Sequence, residues 1–232
     1  MMHLAQDFKV ATIRQEFRYL NLKKQFVTDK SGVKMLEIQG ACFTADEDSI
    51  FGTVNTDYVQ RELDWYTSMS LCVNDIPGGK QEANPPVIWT TVSDSNGMIN
   101  SNYGWCIWSE DNNNQYDNAL AELKSNPESR RAVMIYTRPT MWDDYNRDGM
   151  SDFMCTNAVQ YMIRDNKLNC VVQMRSNDAI FGYKNDKAWQ QHVLDKMANQ
   201  LEIEPGQITW QVGSLHIYER HFGLIARMQG HE

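Results

Sequence analysis

The sequence predicts an α+β fold, and three observations support this. Three segments rich in β-branched and apolar residues, 131–136, 167–174 and 208–218, have the composition of strands. Residues 187–201 carry apolar side chains at helical spacing. Strands and helices do not alternate strictly along the chain, which favours α+β over a doubly wound α/β sheet.

Three segments predict helices. Residues 57–66 and 116–123 show weaker helical periodicity, whereas residues 187–201 show a continuous apolar stripe. The stripe comprises Trp189, Val193, Leu194, Met197 and Leu201. Within the last strand, Gly213 predicts a bulge or bend. The loop-like segments, 77–86 and 142–151, are too short to separate domains, so residues 1–232 are expected to form a single domain.

Composition and charge exclude several classes of protein. Of the 232 residues, 42% are hydrophobic and 22% are charged, which excludes a disordered or fibrous chain. The net charge of −8 argues against direct nucleic-acid binding, because such binding depends on cationic contacts to phosphate. Five cysteines without a CxxC pair indicate reduced thiols. No apolar signal core or membrane-spanning run is present, so the sequence predicts a soluble cytoplasmic protein without a membrane partner.

One segment resembles the start of a calcium-binding EF-hand loop. Asp144, Asn146, Asp148 and Gly149 have the required spacing, but Cys155 stands where the loop needs a bidentate Glu. Flanking sequence does not indicate a helix pair either. We therefore expect a polar turn here and no metal.

Other candidate residues allow both a structural and a functional interpretation. Cys155 lies among apolar residues, where a cysteine is usually a small core residue and less often a nucleophile. Arg175 and Ser176 at a strand end could hold a phosphate. His216 and Tyr218 share one face of a strand and could bind a sugar hydroxyl or form a buried polar pair.

Two further pairs remain ambiguous on local evidence alone. Arg130 and Arg131 precede a strand and could be either phosphate ligands or a solvated surface. Asn185 and Asp186 stand near the start of the predicted helix. They could cap its free amide groups or hydrogen-bond a nucleobase.

Taken in order, these segments resemble motifs of the thymidylate synthase superfamily. The resemblance extends from about residue 29 to about residue 221. Its motifs are residues 60–65 (QRELDW), 103–105 (YGW), 127–131 (PESRR), Cys155, residues 173–182 (QMRSNDAIFG) and residues 213–218 (GSLHIY). The resemblance implies a large mixed β-sheet flanked by helices, with one face of the sheet forming a homodimer interface.

The resemblance also implies roles for individual residues. Cys155 would be the nucleophile, and Glu62 would order water and move protons at the base. Tetrahydrofolate chemistry is implied as well, with 5,10-methylenetetrahydrofolate as the co-substrate and no metal. The implied phosphate ligands are Lys30, Arg130, Arg131, Arg175 and Ser176.

Further implied contacts concern the sugar, the folate and a second subunit. Arg130 and Arg131 would reach the active site of a neighbouring subunit, which makes the active unit a homodimer. His216 and Tyr218 would bind the deoxyribose 3′-hydroxyl. A place in a nucleotide-synthesis complex is a further expectation. The implied contacts to the folate are Asp178, Gly182 and Trp89.

Departures from the family pattern indicate the substrate. Met154 and Thr156 flank the cysteine in place of Pro and His, and Ser214 replaces an Asp. Asp186 falls where the family has the Asn that recognises uracil. A carboxylate accepts from the 4-amino group of cytosine, and one shared proton completes a second hydrogen bond at ring position 3. Asp186 therefore favours dCMP over dUMP.

The reaction implied is hydroxymethyl transfer to carbon 5 of dCMP. A Cys155 thiolate would add to carbon 6 and make carbon 5 nucleophilic. Water, and not hydride, would then add to the transferred carbon. The alternatives are a deoxyuridylate hydroxymethylase, a methyl-forming relative, or a non-catalytic nucleotide- or RNA-binding protein with the same fold.

Overall fold

A mixed sheet and a group of helices dominate the chain. In a computed structural model of the protein, residues 8–78 and 85–227 are described. The helices are α1 (Val10–Leu22), α2 (Thr56–Ser68), α3 (Val87–Val92), α4 (Tyr103–Trp108), α5 (Gln115–Ser125), α6 (Met141–Asp144), α7 (Gly182–Gln200) and α8 (Phe222–Arg227). The strands are β1 (Val27–Thr28), β2 (Lys34–Thr44), β3 (Val133–Ile135), β4 (Thr156–Arg164), β5 (Lys167–Asp178) and β6 (Glu204–Tyr218).

These elements form two compact units. The first unit comprises residues 1–54 and 167–232, and the second comprises residues 55–166. Within residues 8–78 and 85–227, no helix is both long and apolar enough to cross a bilayer. The predicted α+β class is confirmed, because each unit combines helices with paired strands.

The first unit is built on a mixed sheet. Strand β2 pairs antiparallel with β1 and with β6, while β5 pairs parallel with β6. Helix α7 connects β5 to β6, as a parallel pair requires. Its predicted apolar stripe is confirmed, since Trp189, Val193 and Met197 are fully buried. Trp210 of β6 is also fully buried and meets Tyr183 of α7 edge to face, with ring centroids 5.3 Å apart.

In the second unit, aromatic packing holds the short helices together. The rings of Tyr66 and Tyr103 stack with centroids 5.2 Å apart, and Tyr103 meets Tyr136 edge to face at 5.3 Å. The helices predicted at 57–66 and 116–123 are confirmed as α2 and α5. Strand β3 pairs antiparallel with β4 and is shorter than the strand predicted at 131–136.

Three details of the sequence prediction are wrong. The predicted bulge at Gly213 is absent, since the register between β2 and β6 is unchanged on either side of it. A side chain at Gly213 would instead put Cβ 2.8 Å from the carbonyl oxygen of Arg175, so glycine is required for close strand approach. The loop predicted at 142–151 contains most of α6 and a 3₁₀ turn, Arg147–Gly149. Part of the other predicted loop, 79–84, lies outside the described residues.

The third error concerns the start of α7. The helix begins at Gly182 and not at residue 187, because the preceding chain is already turned into position. The Asp178 carboxylate accepts the backbone N–H groups of Ile180 at 2.6 Å and Phe181 at 2.9 Å. This Asx turn starts the helix earlier than its apolar periodicity indicates.

We expect Gly104→Ala to destabilise the second unit. A Cβ at Gly104 in α4 would lie 1.8 Å from the carbonyl oxygen of Tyr66, so the backbone must move. The free energy of unfolding should fall by about 3 kcal/mol, measured by chemical denaturation. The control is Gly223→Ala in α8, where no heavy atom lies within 4 Å. That substitution should leave stability unchanged or raise it by about 0.5–1 kcal/mol; equal effects of the two would contradict this packing argument.

Candidate active site

The candidate residues fall into two sets, one in each unit. The second unit carries the proposed nucleophile and proton-transfer group, and the first carries most residues expected to bind nucleotide. In the second unit are Glu62, Trp89, Arg130, Arg131 and Cys155. In the first unit are Lys30, Arg175, Ser176, Asp178, Gly182, Asp186, His216 and Tyr218.

Cys155 stands at the end of an anchored loop, directly before β4. The buried Asp152 carboxylate fixes this loop by accepting the backbone N–H groups of Asn100 and Ser101, each at 2.8 Å. The Ser101 hydroxyl donates to the same carboxylate at 2.8 Å. Because Met154 and Thr156 are fully buried on either side, the position of the Cys155 backbone is closely defined.

Burial distinguishes Cys155 from two of the other cysteines. Cys106 and Cys170 are buried, which raises the pKa of the Cys106 thiol to about 12 and that of Cys170 further. A thiolate at either position is therefore strongly disfavoured near neutral pH. Cys155 is half-buried, and its Sγ lies 3.9 Å from the Phe153 carbonyl oxygen.

Glu62 lies on α2 and is buried. Its side chain is only 5% exposed, and this burial raises the pKa of the carboxyl to about 7. The Tyr58 hydroxyl donates to Oε1 at 2.7 Å, and the Trp89 indole N–H donates to the same oxygen at 3.2 Å. These hydrogen bonds favour the carboxylate, but burial dominates. Glu62 can therefore both accept and release a proton near neutral pH.

Trp89 contacts Glu62 directly. Besides bonding Glu62, its indole N–H lies 3.0 Å from the Tyr58 hydroxyl oxygen. Its ring meets Trp65 edge to face, with centroids 5.1 Å apart. The Trp89 indole N–H is therefore hydrogen-bonded to Glu62, and the folate contact of Trp89 stays a prediction from the sequence.

Arg130 and Arg131 are exposed and follow an internally bonded turn. The buried Ser129 hydroxyl donates to the Glu122 carboxylate at 2.6 Å, and Arg131 donates to the same oxygen from Nη2 at 2.8 Å. The Ser129 hydrogen bond and then Arg131 lower the pKa of Glu122. The Arg130 carbonyl oxygen accepts from the Gln160 side chain at 2.8 Å. Both guanidinium groups are presented at the surface.

The EF-hand-like segment is engaged in ion pairs. The Asp144 carboxylate pairs with Arg138 at 3.1 Å and with Arg147 at 2.9 Å. Asp148 and Gly149 both adopt positive φ, as expected for a tight polar turn. Asp144 therefore has cationic partners within the chain itself.

In the first unit, Arg175 and Ser176 lie near the end of β5. Ser176 pairs in register with Ser214 of β6, and the Arg175 carbonyl passes close to Gly213. Arg175 is exposed and Ser176 is half-buried. A guanidinium and a hydroxyl are both groups that bind phosphate.

Asp186 lies inside α7, one turn beyond the helix start. The interpretation of Asn185 and Asp186 as a helix cap is therefore wrong. The Asn177 side chain donates from Nδ2 to Asp186 Oδ2 at 2.7 Å. The Trp210 indole N–H, in turn, donates to Asn177 Oδ1 at 3.3 Å. Asp186 is thus hydrogen-bonded to a buried side chain of the neighbouring strand.

Gly182 leaves room for this group of side chains. A Cβ at this position would lie 3.0 Å from Asn177 Nδ2 and 3.7 Å from Asp186 Oδ2. Phe181, directly before it, is 52% exposed and meets His221 edge to face. An exposed aromatic ring beside a glycine offers a flat surface to a planar ligand.

His216 and Tyr218 lie on one face of β6, as the sequence predicts. Their rings meet edge to face with centroids 5.0 Å apart. His216 is buried, and its Nδ1 lies 3.4 Å from the Ser214 carbonyl oxygen. The Ser214 hydroxyl donates to Glu37 of β2 and lowers the pKa of that carboxyl. A hydroxyl at position 214 therefore holds an acidic group of the adjacent strand.

Lys30 lies in a tight turn before β2. The Asp29 carboxylate accepts the backbone N–H of Ser31 at 2.8 Å and of Val33 at 2.9 Å, and it also accepts the Ser31 hydroxyl at 2.7 Å. These bonds lower the pKa of Asp29 and define the turn. Lys30 is exposed at its tip.

Sequence reasoning missed several supporting residues. Tyr58 could have been found, because it lies four residues before Glu62 and so on the same helix face. Asn177 occupies the variable position of the RSND motif, which gave no signal by itself. Trp210 is 33 residues from Asn177 in the chain, and Asp152 is about 50 residues from its partners, so neither contact has a local signature.

The chain closely resembles characterised enzymes. It is 56% identical over 229 residues to deoxycytidylate 5-hydroxymethyltransferases of Enterobacteria phages T4, T2 and T6, covering 96% of this chain and 91% of each relative. Among solved structures, it resembles thermostable thymidylate synthase A from Bacillus subtilis, with a TM-score of 0.71 and 20% identity over 94% of this chain and 84% of that one. That likeness confirms the predicted thymidylate synthase fold. A sequence profile of thymidylate synthase matches residues 25–230, and the chain therefore belongs to the thymidylate synthase family.

Proposed function

We propose that this chain is a deoxycytidylate 5-hydroxymethyltransferase. It would transfer a one-carbon unit from 5,10-methylenetetrahydrofolate to carbon 5 of dCMP, giving 5-hydroxymethyl-dCMP and tetrahydrofolate. The observation that carries the proposal is the carboxylate at position 186, held by Asn177 within a family whose usual residue there is an amide. The relatives' names and 56% identity support the same reaction.

Cys155 is the proposed nucleophile. Its thiolate adds to carbon 6 of the base, and carbon 5 then has the electron density of an enamine. The loop tied by Asp152 defines the position of the Cys155 backbone, which would lower the entropic cost of attack. When bound, 5,10-methylenetetrahydrofolate supplies the one-carbon unit that carbon 5 accepts.

Glu62 is the proposed proton-transfer group. Loss of the carbon 5 proton would release tetrahydrofolate and leave an exocyclic methylene; water would then add to this carbon, and the Cys155 thiolate would leave carbon 6 to restore the ring. Both the proton loss and the addition of water require a group that exchanges protons near neutral pH. The pKa of about 7 suits both steps. Tyr58 and Trp89 hold the Glu62 carboxyl in place by donating to Oε1.

Asp186 is the proposed base-recognition residue. Its carboxylate accepts from the cytosine 4-amino group, and one proton shared with ring nitrogen 3 completes the pairing. Uracil presents an oxygen at position 4, so a carboxylate there would face an acceptor. Mismatches of this kind leave buried polar groups unpaired and give large discrimination.

Remaining contacts follow from the family pattern. Arg175, Ser176 and Lys30 would hold the phosphate, and His216 with Tyr218 would bind the 3′-hydroxyl. We propose a homodimer formed through one sheet face, in which exposed Arg130 and Arg131 serve the neighbouring subunit. The chain as a whole is acidic, and its proposed phosphate ligands form a local group of cationic residues. This arrangement suits a single nucleotide better than a long nucleic acid.

Asp178, Gly182 and Trp89 are the proposed folate contacts. Gly182 and the exposed Phe181 ring fit a planar pterin. Asp178 Oδ1 also forms the turn before α7. We propose a cytoplasmic location in the host of a phage, in a single catalytic domain, with a place in a phage nucleotide-synthesis complex.

The product assay is the direct test of this function. Purified enzyme with 5,10-methylenetetrahydrofolate and either dCMP or dUMP should give 5-hydroxymethyl-dCMP from dCMP, identified by mass spectrometry. Cys155→Ala should abolish turnover but retain dCMP binding, whereas Cys72→Ala should remain active. A methylated product, turnover only with dUMP, or full activity of Cys155→Ala would reject the proposal.

We expect Asp186→Asn to shift selectivity from dCMP towards dUMP. An amide offers both a donor and an acceptor, which matches position 4 and the N3–H of uracil. The ratio of kcat/KM for dCMP to that for dUMP should fall by at least about 100-fold. Steady-state kinetics with each nucleotide measures this ratio. An unchanged ratio would show that Asp186 does not distinguish cytosine from uracil.

We expect Glu62→Gln to abolish turnover and to change the pH dependence of stability. The folded-state pKa is raised from 4.5 to about 7, so wild-type stability falls as pH rises from about 4.5 to about 7. The loss should be about 3 kcal/mol, because each pKa unit corresponds to about 1.4 kcal/mol. The Gln variant should lack this loss, so its stability relative to wild type should rise between pH 4.5 and pH 8 in urea denaturation. Parallel pH profiles for the two proteins would contradict the buried-carboxyl assignment.

A further inference from the structure

The proposed base-recognition carboxylate is itself held by a side chain that the family pattern does not assign. Asn177 lies on β5 between Ser176 and Asp178 and is 3% exposed. Its Nδ2 donates to Asp186 Oδ2 at 2.7 Å across to helix α7. A strong contact of this kind connects a fixed strand to the residue expected to touch the base.

The orientation of the Asn177 amide follows from its other neighbour. The indole N–H of Trp210 can only donate, and it points to Asn177 Oδ1 at 3.3 Å. The oxygen of the amide must therefore face Trp210, and the NH₂ group must face Asp186. Trp210 is fully buried and packs against Tyr183, so it has little freedom to move away.

These two hydrogen bonds restrict the protonation of the Asp186 carboxyl. The Asn177 NH₂ group offers only hydrogens, so Asp186 Oδ2 must accept, which disfavours a proton on that oxygen. Donation to a carboxylate also favours its ionised form. The proton shared with cytosine is then placed away from Oδ2, and the carboxylate keeps its acceptor character for the 4-amino group.

We propose that Asn177, oriented by Trp210, is a positioning residue that keeps Asp186 an acceptor and thereby sets the preference for cytosine. This inference rests on the proposed function. Gly182 permits the arrangement, since a Cβ there would lie 3.0 Å from Asn177 Nδ2. A glycine assigned to folate by resemblance thus has a second role within this group.

The alternative is that Asn177 only satisfies the buried Trp210 N–H. Asn177→Leu, a near-isosteric change, removes the donor to Asp186 and leaves the Trp210 N–H unpaired. Trp210→Phe combined with Asn177→Leu removes both polar partners, which restores hydrogen-bond balance around position 210. The double variant separates a role in stability from a role in selectivity.

The experiment measures dissociation constants of dCMP and dUMP by calorimetry, with melting temperature as the stability readout. In Asn177→Leu, the preference for dCMP should fall about tenfold to hundredfold, the effect of losing a hydrogen bond to a charged group. In the double variant, the melting temperature should recover at least in part while the preference stays low. The control is Asn199→Leu, a substitution at an exposed position of α7, the helix that carries Asp186. This variant should keep the wild-type preference for dCMP.

Two outcomes would overturn the inference. A dCMP preference that stays at the wild-type value in Asn177→Leu would show that Asp186 needs no positioning. A preference that recovers together with the melting temperature in the double variant would show a purely structural role. Both are distinct from failure of the proposed function, which would appear as absence of 5-hydroxymethyl-dCMP from the wild-type enzyme.

Discussion

The Trp210 indole N–H can donate a hydrogen bond but cannot accept one, and this constraint determines the chemistry of the proposed base site. The Trp210 indole N–H fixes the amide of Asn177, and the amide in turn presents hydrogens to Asp186. The direction of each hydrogen bond follows from the previous one. Trp210, a buried residue on β6, therefore defines the hydrogen-bond acceptors that Asp186 on α7 can offer a ligand. Under the proposed function, recognition of an amino group in place of a keto oxygen would follow from this sequence of donors and acceptors.

Two carboxyl groups to which the proposal gives opposite tasks also have different surroundings. Glu62 is removed from water, and this raises its pKa to about 7 although two donors bond one of its oxygens. Asp186 accepts a hydrogen bond from the Asn177 amide at 2.7 Å. A proton-transfer group needs both protonation states, whereas a recognition group needs one. Desolvation and hydrogen bonding supply these different requirements without any change in residue type.

The sequence predicted the α+β class, three of the eight described α-helices (α2, α5 and α7) and three of the six described strands (β3, β5 and β6), because these depend on local periodicity. It misplaced the start of α7, since Asp178 forms a turn whose effect the apolar stripe does not register. It predicted a bulge or bend at Gly213, where the real constraint is the carbonyl oxygen of a residue on another strand. The Asn177–Trp210 and Asp152–Ser101 contacts join distant parts of the chain, so only the folded structure shows them.

The most direct measurement of the central claim is a trapping experiment with a fluorinated nucleotide. Fluorine at carbon 5 cannot leave as a proton does, so 5-fluoro-dCMP with 5,10-methylenetetrahydrofolate should stop the reaction at the covalent stage. Intact-protein mass spectrometry should then show enzyme carrying both molecules, and peptide mapping should place the adduct on Cys155, while 5-fluoro-dUMP gives little or none. An adduct on another residue would contradict the assignment of Cys155 as the nucleophile. Equal trapping by both nucleotides would contradict the assignment of Asp186 as the residue that recognises the base.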